Sequence, residues 1–452
     1  MARPGLWLCW LVLAFGLMNV YGPRPDAAPP PGSPPAQPAS VLETVLNLQR
    51  DGRDIERYFA YANALLGRPC VAKYIQLTDD AKDIATSVVG DTLTPSRPLR
   101  PWRDFAVEYP PGMLIPVALP ALFTTNFDTY FFLFSLEMEA VLTLAVALAA
   151  RTAEALTPGG GRRALGLSIV LTAALGCVAV RRYDACVALA IAAVVYGMAT
   201  RRPIVACVAL AIGVALKGVP LLMAPALLFW FVGRRDWRAL AVGAASAALC
   251  LGAVVVAYVA IAGPHVLDLF RYHSGRPLQL ETPYAGVLLI LAPRFPNLFS
   301  VTYSYGSDNL ASAAEPWLRN AASLLEIVAL VVICAVAYLR IRRAADDRQR
   351  FTAAAWAFSA VLVAFMSLGK VFSAQYLVWL LPLGAIAGAT ASGRSHWRLV
   401  AANGLTQAEF PFLYSLVLGD YPALAPLLGV TIVARALALW SWIAEPIRQR
   451  TG

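Results

Sequence analysis

Asp51 and Asp54 stand one helical turn apart in a polar stretch of an otherwise apolar chain. Asp54 lies beside an apolar stripe, with Tyr58 and Tyr61 on the same side at i+4 and i+7. A carboxylate so placed can face a cavity at a membrane surface and accept a proton from an alcohol; Asp51 is its rival for that role. A second polar cluster runs Arg271-Tyr272-His273-Ser274-Gly275-Arg276-Pro277-Leu278-Gln279-Leu280-Glu281-Thr282. Arg and His give charge-assisted hydrogen bonds to phosphate oxygens, so this mix suits an anionic ligand carrying sugar hydroxyls. An ordinary amphipathic interfacial loop has a similar composition. Other polar groups interrupt the apolar pattern: Glu108 with Tyr109, Arg182 with Asp184, Lys217, and Lys370 followed by Gln375. Lys217 has Gly218 and Pro220 behind it, the combination of chain break and buried cation that lines cavities. Lys370 by itself could anchor a helix end at the headgroups.

No nucleotide or metal motif accompanies these groups. The first polar segment contains no Asp-x-Asp, and the chain contains no Gly-rich phosphate loop. His265, His273 and His396 are too scattered for a zinc site. Of the seven cysteines, Cys9, Cys177, Cys186, Cys207, Cys250 and Cys334 lie in or beside apolar runs, and only Cys70 is in a clearly polar segment. The odd count argues against a disulfide framework. No metal and no cofactor is expected.

The elements that must position these groups follow from composition. The chain has 452 residues, 59% hydrophobic and 14% charged, whereas soluble domains carry about 25% charged residues. That is the composition of a polytopic all-α membrane protein. The net charge of +10 sits in short Arg clusters between apolar runs, as the positive-inside rule predicts, so nucleic acid is not an expected partner. Residues 1–22 read as a first membrane helix, with a signal peptide as the alternative, and residues 23–40 as a Pro-rich tether. Residues 41–110 form an extracytoplasmic loop with an amphipathic helix through Ile55, Tyr58, Phe59, Ala62, Leu65 and Leu66, ending near Gly67; residues 71–107 read as a long loop. Residues 111–452 hold the remaining spans, interrupted by an outer loop at 263–316. Apolar runs fall near 112–124, 127–150, 164–180, 185–200, 203–216, 219–232, 239–262, 317–339, 352–369, 376–392, 399–418 and 424–444. A span needs roughly 20 residues, so 112–124 is expected to re-enter rather than cross, leaving about twelve crossings. With the Arg clusters at the cytoplasm, the polar groups named above share the outer face. Ionisable groups at membrane depth mark a substrate path or reactive site.

The motifs Arg53-Asp54-Ile55-Glu56-Arg57-Tyr58, Glu108-Tyr109-Pro110-Pro111, Arg182-Tyr183-Asp184, Ala215-Leu216-Lys217-Gly218-Val219-Pro220, Tyr272-His273 with Arg276-Pro277-Leu278-Gln279-Leu280-Glu281, and Gly369-Lys370-Val371-Phe372-Ser373-Ala374-Gln375-Tyr376 occur in order over most of the chain. As an ordered set they resemble the GT-C glycosyltransferases, specifically the bacterial polyprenol-phosphate-mannose-dependent alpha-mannosyltransferases. The resemblance implies a GT-C-type helical bundle in the bacterial plasma (inner) membrane. It implies a polyprenyl-phosphate sugar as donor, a lipid or glycan acceptor, and inverting transfer of a hexose, mannose in the family, on the extracytoplasmic face. It maps the general base to Asp54 and donor-phosphate contacts to His273, Arg276 and Lys370, with Lys217 and Gln375 behind them. Glu108, Tyr109, Arg182, Asp184, Gln279, Glu281 and Gln375 are the expected substrate-binding groups.

A transporter or flippase of lipid-linked sugars is the competing reading. It should show internal repeats and polar groups towards the midplane and both faces. The sequence shows no such repeat, and its polar groups are one-sided. A non-catalytic membrane partner is the third possibility.

Overall fold

A computed structural model describes residues 4–18, 53–81, 84, 86–295, 297–390, 395–419 and 421–448. Asp51 and the Pro-rich 23–40 stretch lie outside the described residues. Helix α1 spans Pro4–Met18 and α2 spans Arg53–Leu65. Asp54 and Glu56 occupy the first turn of α2, where the helix dipole favours negative charge. Of the stripe that its spacing predicts, this helix buries Ile55, Tyr58 and Ala62 and half-buries Phe59 and Leu65, with Leu66 just beyond it also half-buried; Tyr61 is buried as well.

Residues 71–107 depart from the long loop expected of them. They carry strands β1 (Cys70–Val71), β2 (Thr86–Val89) and β3 (Thr92–Pro95) in an antiparallel sheet of order β1-β3-β2. Val89 pairs with Thr92, so Gly90 and Asp91 form a two-residue turn with Gly90 at φ 58°. Turns with positive φ match the strand twist of a hairpin, which is why glycine stands there.

After α3 (Leu114–Ala121) come α4 (Phe127–Leu156), α5 (Gly160–Leu175), α6 (Asp184–Ala199), α7 (Pro203–Lys217), α8 (Ala224–Gly233) and α9 (Trp237–Ala262). The outer segment holds α10 (Asp268–Gly275), α11 (Pro283–Leu291) and the hairpin β4 (Ser300–Ser304) to β5 (Ser307–Ala311). Then follow α12 (Glu315–Arg343), α13 (Asp347–Leu368), α14 (Leu381–Thr390), α15 (His396–Gln407), α16 (Tyr414–Leu418) and α17 (Ala425–Arg448). Side-chain caps start several of these helices: Asn126 accepts from the Thr129 amide at 3.0 Å, Asp236 from Ala239 at 3.1 Å and Asp346 from Gln349 at 2.7 Å.

Among the described residues, six helices are long and apolar enough to cross a membrane, and shorter apolar helices pack among them. The chain is therefore a multi-pass, all-α membrane protein, as its composition requires. Residues Pro111–Ala121 are one of the short pieces. At 1.5 Å per residue they reach only about half the roughly 30 Å hydrocarbon thickness. Burial separates the centre from the rim: 72% of the apolar window of α13 is inside the protein, against 6% of that in the Trp237–Gly275 stretch containing α9.

The two ends of the bundle differ in chemistry. At one end Arg201 Nη2 lies 3.0 Å from Asp347 Oδ2, Arg234 pairs with the same carboxylate, and Arg348 reaches Thr157 Oγ1 at 3.3 Å. The links α4–α5, α6–α7, α8–α9 and α12–α13 therefore meet there. Asp184 at the start of α6, Lys217 at the end of α7 and Lys370 just after α13 must then lie at the other end. For the 22 residues of α13 that separation is about 33 Å.

Candidate active site

At that second end the helices enclose a cavity of about 760 Å³. Its wall includes Asp54, Glu108, Tyr109, Arg182, Lys217, His273, Arg276, Gln279, Glu281, Lys370 and Gln375. These come from the first loop, the α5–α6 link, the end of α7, the outer segment and the link after α13. Among the described candidates Asp184 alone is off the wall; it is buried behind Lys217.

The first-loop side is built on Glu108. Arg57 Nη1 donates to its Oε1 at 2.7 Å and the Tyr61 hydroxyl to its Oε2 at 2.6 Å, both from α2. The His273 ring nitrogen Nε2 donates to the Glu108 carbonyl at 2.9 Å, joining the outer segment to the first loop. A carbonyl can only accept, so Nε2 carries the proton. Asp54 forms an ion pair with Arg182, on the link before α6. Burial and the neighbouring Glu108 hold the Tyr109 phenol well above its usual range, so it stays protonated. Gly112 lets this strand of chain lie on the end of α7: a Cβ there would sit 2.6 Å from the Ala215 carbonyl.

Lys217 is caged. Its Nζ lies 2.8 Å from Asp184 Oδ1 and 5.0–5.8 Å from the ring centroids of Tyr109, Tyr183, Tyr376 and Trp379. Trp379 Nε1 donates to the same Asp184 oxygen at 2.7 Å. Cation–π contacts and a buried partner fix this ammonium in place at the edge of the cavity.

The third side is a strip of extended chain. The Gln279 amide donates to the Lys370 carbonyl at 3.0 Å, the Leu280 amide to the Asp308 carbonyl at 3.0 Å and the Leu310 amide to the Leu278 carbonyl at 2.8 Å. Residues 278–280 thus lie between β5 and the Lys370 segment. Lys370 Nζ donates to the Ser274 carbonyl at 2.8 Å and Arg276 Nη2 to Ser307 Oγ at 3.1 Å. Burial first, then Arg319 and Arg276, lower the Lys370 pKa. The hairpin tip, Tyr305-Gly306, has both residues at positive φ (53° and 70°). The Tyr305 carbonyl accepts from the Tyr272 hydroxyl at 2.6 Å, and Gly306 packs on the Arg57 guanidinium so closely that a Cβ would sit 2.7 Å from Nη1.

One flank of the wall is apolar, with Val214 and Leu221 near the end of α7 and Leu251, Val254 and Val255 on the rim helix α9. The cavity therefore joins a charged pocket to a greasy flank, which suits an amphiphile with an anionic head. The sequence reading passed over the Arg57–Tyr61 clamp on Glu108, the aromatic cage, the β4–β5 hairpin and the cavity-lining Glu326. It also passed over Glu409 and Arg435, a buried ion pair beside Glu281. Ionisable residues inside apolar runs were the available signal for the last three.

The family model of glycosyltransferase family 87 matches residues 107–366, more than half of the chain. The match contains Glu108, Arg182, Lys217, His273 and Arg276, with Asp54 before it and Lys370 after it. Among solved structures, ArnT from Cupriavidus metallidurans bound to undecaprenyl phosphate is similar at 13% identity. That likeness covers 97% of this chain and 75% of the other, with a TM-score of 0.47. No curated protein matches the chain.

Proposed function

The chain belongs to glycosyltransferase family 87, and from that premise we propose that this membrane glycosyltransferase uses a polyprenyl-phosphate sugar as donor. The transferred sugar is a hexose, mannose by the resemblance of the motifs, and the acceptor is a hydroxyl of a lipid or glycan. The observation that carries the reading is the shared cavity: Asp54, His273, the cations Arg276, Lys370 and Lys217, and an apolar flank all line it. A lipid-linked phosphate matches both the charged end and the apolar wall.

In this account Asp54 takes the proton from the acceptor hydroxyl while its oxygen attacks the anomeric carbon from the side opposite the phosphate. The new glycosidic C–O bond forms as the bond from that carbon to the phosphate oxygen breaks. The electron pair leaves with the lipid phosphate, whose charge rises from one to two negative units. Arg276 and Lys370 stabilise that growing charge, and Arg182 aims the Asp54 carboxylate. Inversion at the anomeric carbon follows from the single displacement. The active site faces the extracytoplasmic side of a bacterial inner membrane, with the Arg-rich end of the bundle at the cytoplasm.

The test is transfer by purified, reconstituted protein from labelled polyprenyl-phosphate-mannose to a panel of glycolipids and oligosaccharides. Label in an acceptor with matching release of polyprenyl phosphate is the expected result. Transfer from a nucleotide sugar, with none from any polyprenyl donor, would overturn the reading.

A further inference from the structure

Arg435 lies on the last helix, beyond the stretch that the family model matches, and is 1% exposed. Three groups hold its guanidinium. Glu409, 0% exposed at the kink after α15, forms an ion pair with it. The Glu281 carbonyl accepts from Nη2 at 2.6 Å. The ring of Phe372 lies under the guanidinium carbon, 3.5 Å from centroid to Cζ. Glu281 ends the extended strip that carries Gln279, and Phe372 sits two residues after Lys370. One side chain therefore ties together the two segments that present Lys370 and Gln279 to the cavity.

The packing around it explains how a helix so late in the chain reaches this point. Helix α17 lies against α11 through two facing glycines: a Cβ on Gly429 would sit 2.4 Å from the Gly286 carbonyl. Small residues at such a crossing bring two backbones close. Thr282 caps α11, its Oγ1 accepting from the Ala285 amide at 3.4 Å, so Glu281 stands immediately before the cap and within reach of Arg435. Carrying a charge into this interior is costly and is sustained only by pairing and hydrogen bonding. An apolar residue would fill the space without that cost, but could not bond a carboxylate and a carbonyl at once.

We propose that Arg435 is a positioning residue for the lipid-phosphate half of the site, holding the Glu281 strip and the Lys370–Phe372 segment in register through Glu409. This rests on the reading of Lys370 and Arg276 as phosphate contacts. Arg435 itself touches no substrate. Its two-pronged planar guanidinium is the feature that matters, so lysine replaces it only in part.

The experiment measures binding of undecaprenyl phosphate to the purified full chain, alongside thermal unfolding of each variant. Arg435→Met combined with Glu409→Gln removes both charges and leaves neither one buried alone. In folded protein this pair should weaken binding about tenfold or more, and Arg435→Lys should fall between it and the wild type. Unchanged binding by the folded double variant would overturn the proposal. If the double variant does not fold, Arg435→Lys decides: weaker binding at an unchanged unfolding temperature supports positioning, and wild-type binding overturns it. Lys370→Met in the same assay separates the two claims. If it leaves binding unchanged, the phosphate assignment falls and the positioning proposal falls with it. If it weakens binding and the Arg435 variants do not, only the positioning proposal falls.

Discussion

Lys217 and Asp184 form a buried ion pair, Nζ to Oδ1 2.8 Å, that joins the end of α7 to the start of α6, with Lys217 on the cavity wall and Asp184 behind it. Removing one member leaves the other charge without its partner in a closed aromatic cage, which costs about 3–5 kcal/mol. Asp184→Asn and Lys217→Met should each lower the unfolding midpoint of the purified protein steeply. Lys217→Met with Asp184→Asn should cost clearly less than the sum of the two. Simple additivity in denaturation would show that the two groups are not coupled.

Glu108 holds the first loop to the bundle through Arg57 and Tyr61. Glu108→Gln loses charge-assisted hydrogen bonds worth about 1.5–3 kcal/mol and loosens α2, which carries Asp54. Turnover should fall while undecaprenyl phosphate binding stays close to that of the wild type, because His273 bonds the backbone of residue 108 and not its side chain. Equal losses of turnover and binding would place Glu108 on the phosphate side instead.

The lowered pKa of Lys370 has a definite sign. Lysine is charged below its pKa, so this ammonium loses its proton at a lower pH than an exposed lysine, near 10.4, would. Lipid-phosphate affinity should therefore decline as pH rises into the alkaline range. Lys370→Arg, which stays charged, should flatten that decline. An alkaline loss that persists unchanged in Lys370→Arg would assign it to another group.

The β2–β3 turn and the β4–β5 hairpin both belong to the end of the bundle that carries the cavity. In a cysteine-free background, Asp91→Cys and Tyr303→Cys should both react with a membrane-impermeant reagent on intact cells, and Arg342→Cys should not. Labelling of only one of the two outer sites would contradict a common face.

Much of this was legible in the sequence because apolar runs report spans directly. The run at 127–150 became a helix at Phe127–Leu156, and that at 239–262 became Trp237–Ala262. Lys370 could be singled out because it borders such a run, Asp54 because it stands beside an amphipathic stripe, and His273 and Arg276 because they fall in one polar outer segment. The choice between enzyme and transporter rested on the lack of an internal repeat and on one-sidedness, and the family match settles it for a glycosyltransferase. The strands were hidden for a physical reason: Thr86–Val89 and Thr92–Pro95 are four residues each, too short for alternation to register. Gly90-Asp91 between two β-branched stretches was the hairpin signal available. Arg435 and Glu409 were hidden because one charge in a long apolar run does not disturb its average, although its cost inside a membrane marks it.

The central claim is that Asp54 accepts the acceptor proton during transfer from a lipid-linked sugar. Its most direct test compares wild type with Asp54→Asn for release of polyprenyl phosphate from polyprenyl-phosphate-mannose in the presence of acceptor, with undecaprenyl phosphate binding measured in parallel. The amide keeps the shape of the side chain but cannot take the proton, and a general base contributes about 10²–10⁴-fold. The account predicts a loss of that order in turnover with lipid-phosphate binding retained. Near-normal turnover in Asp54→Asn would contradict it.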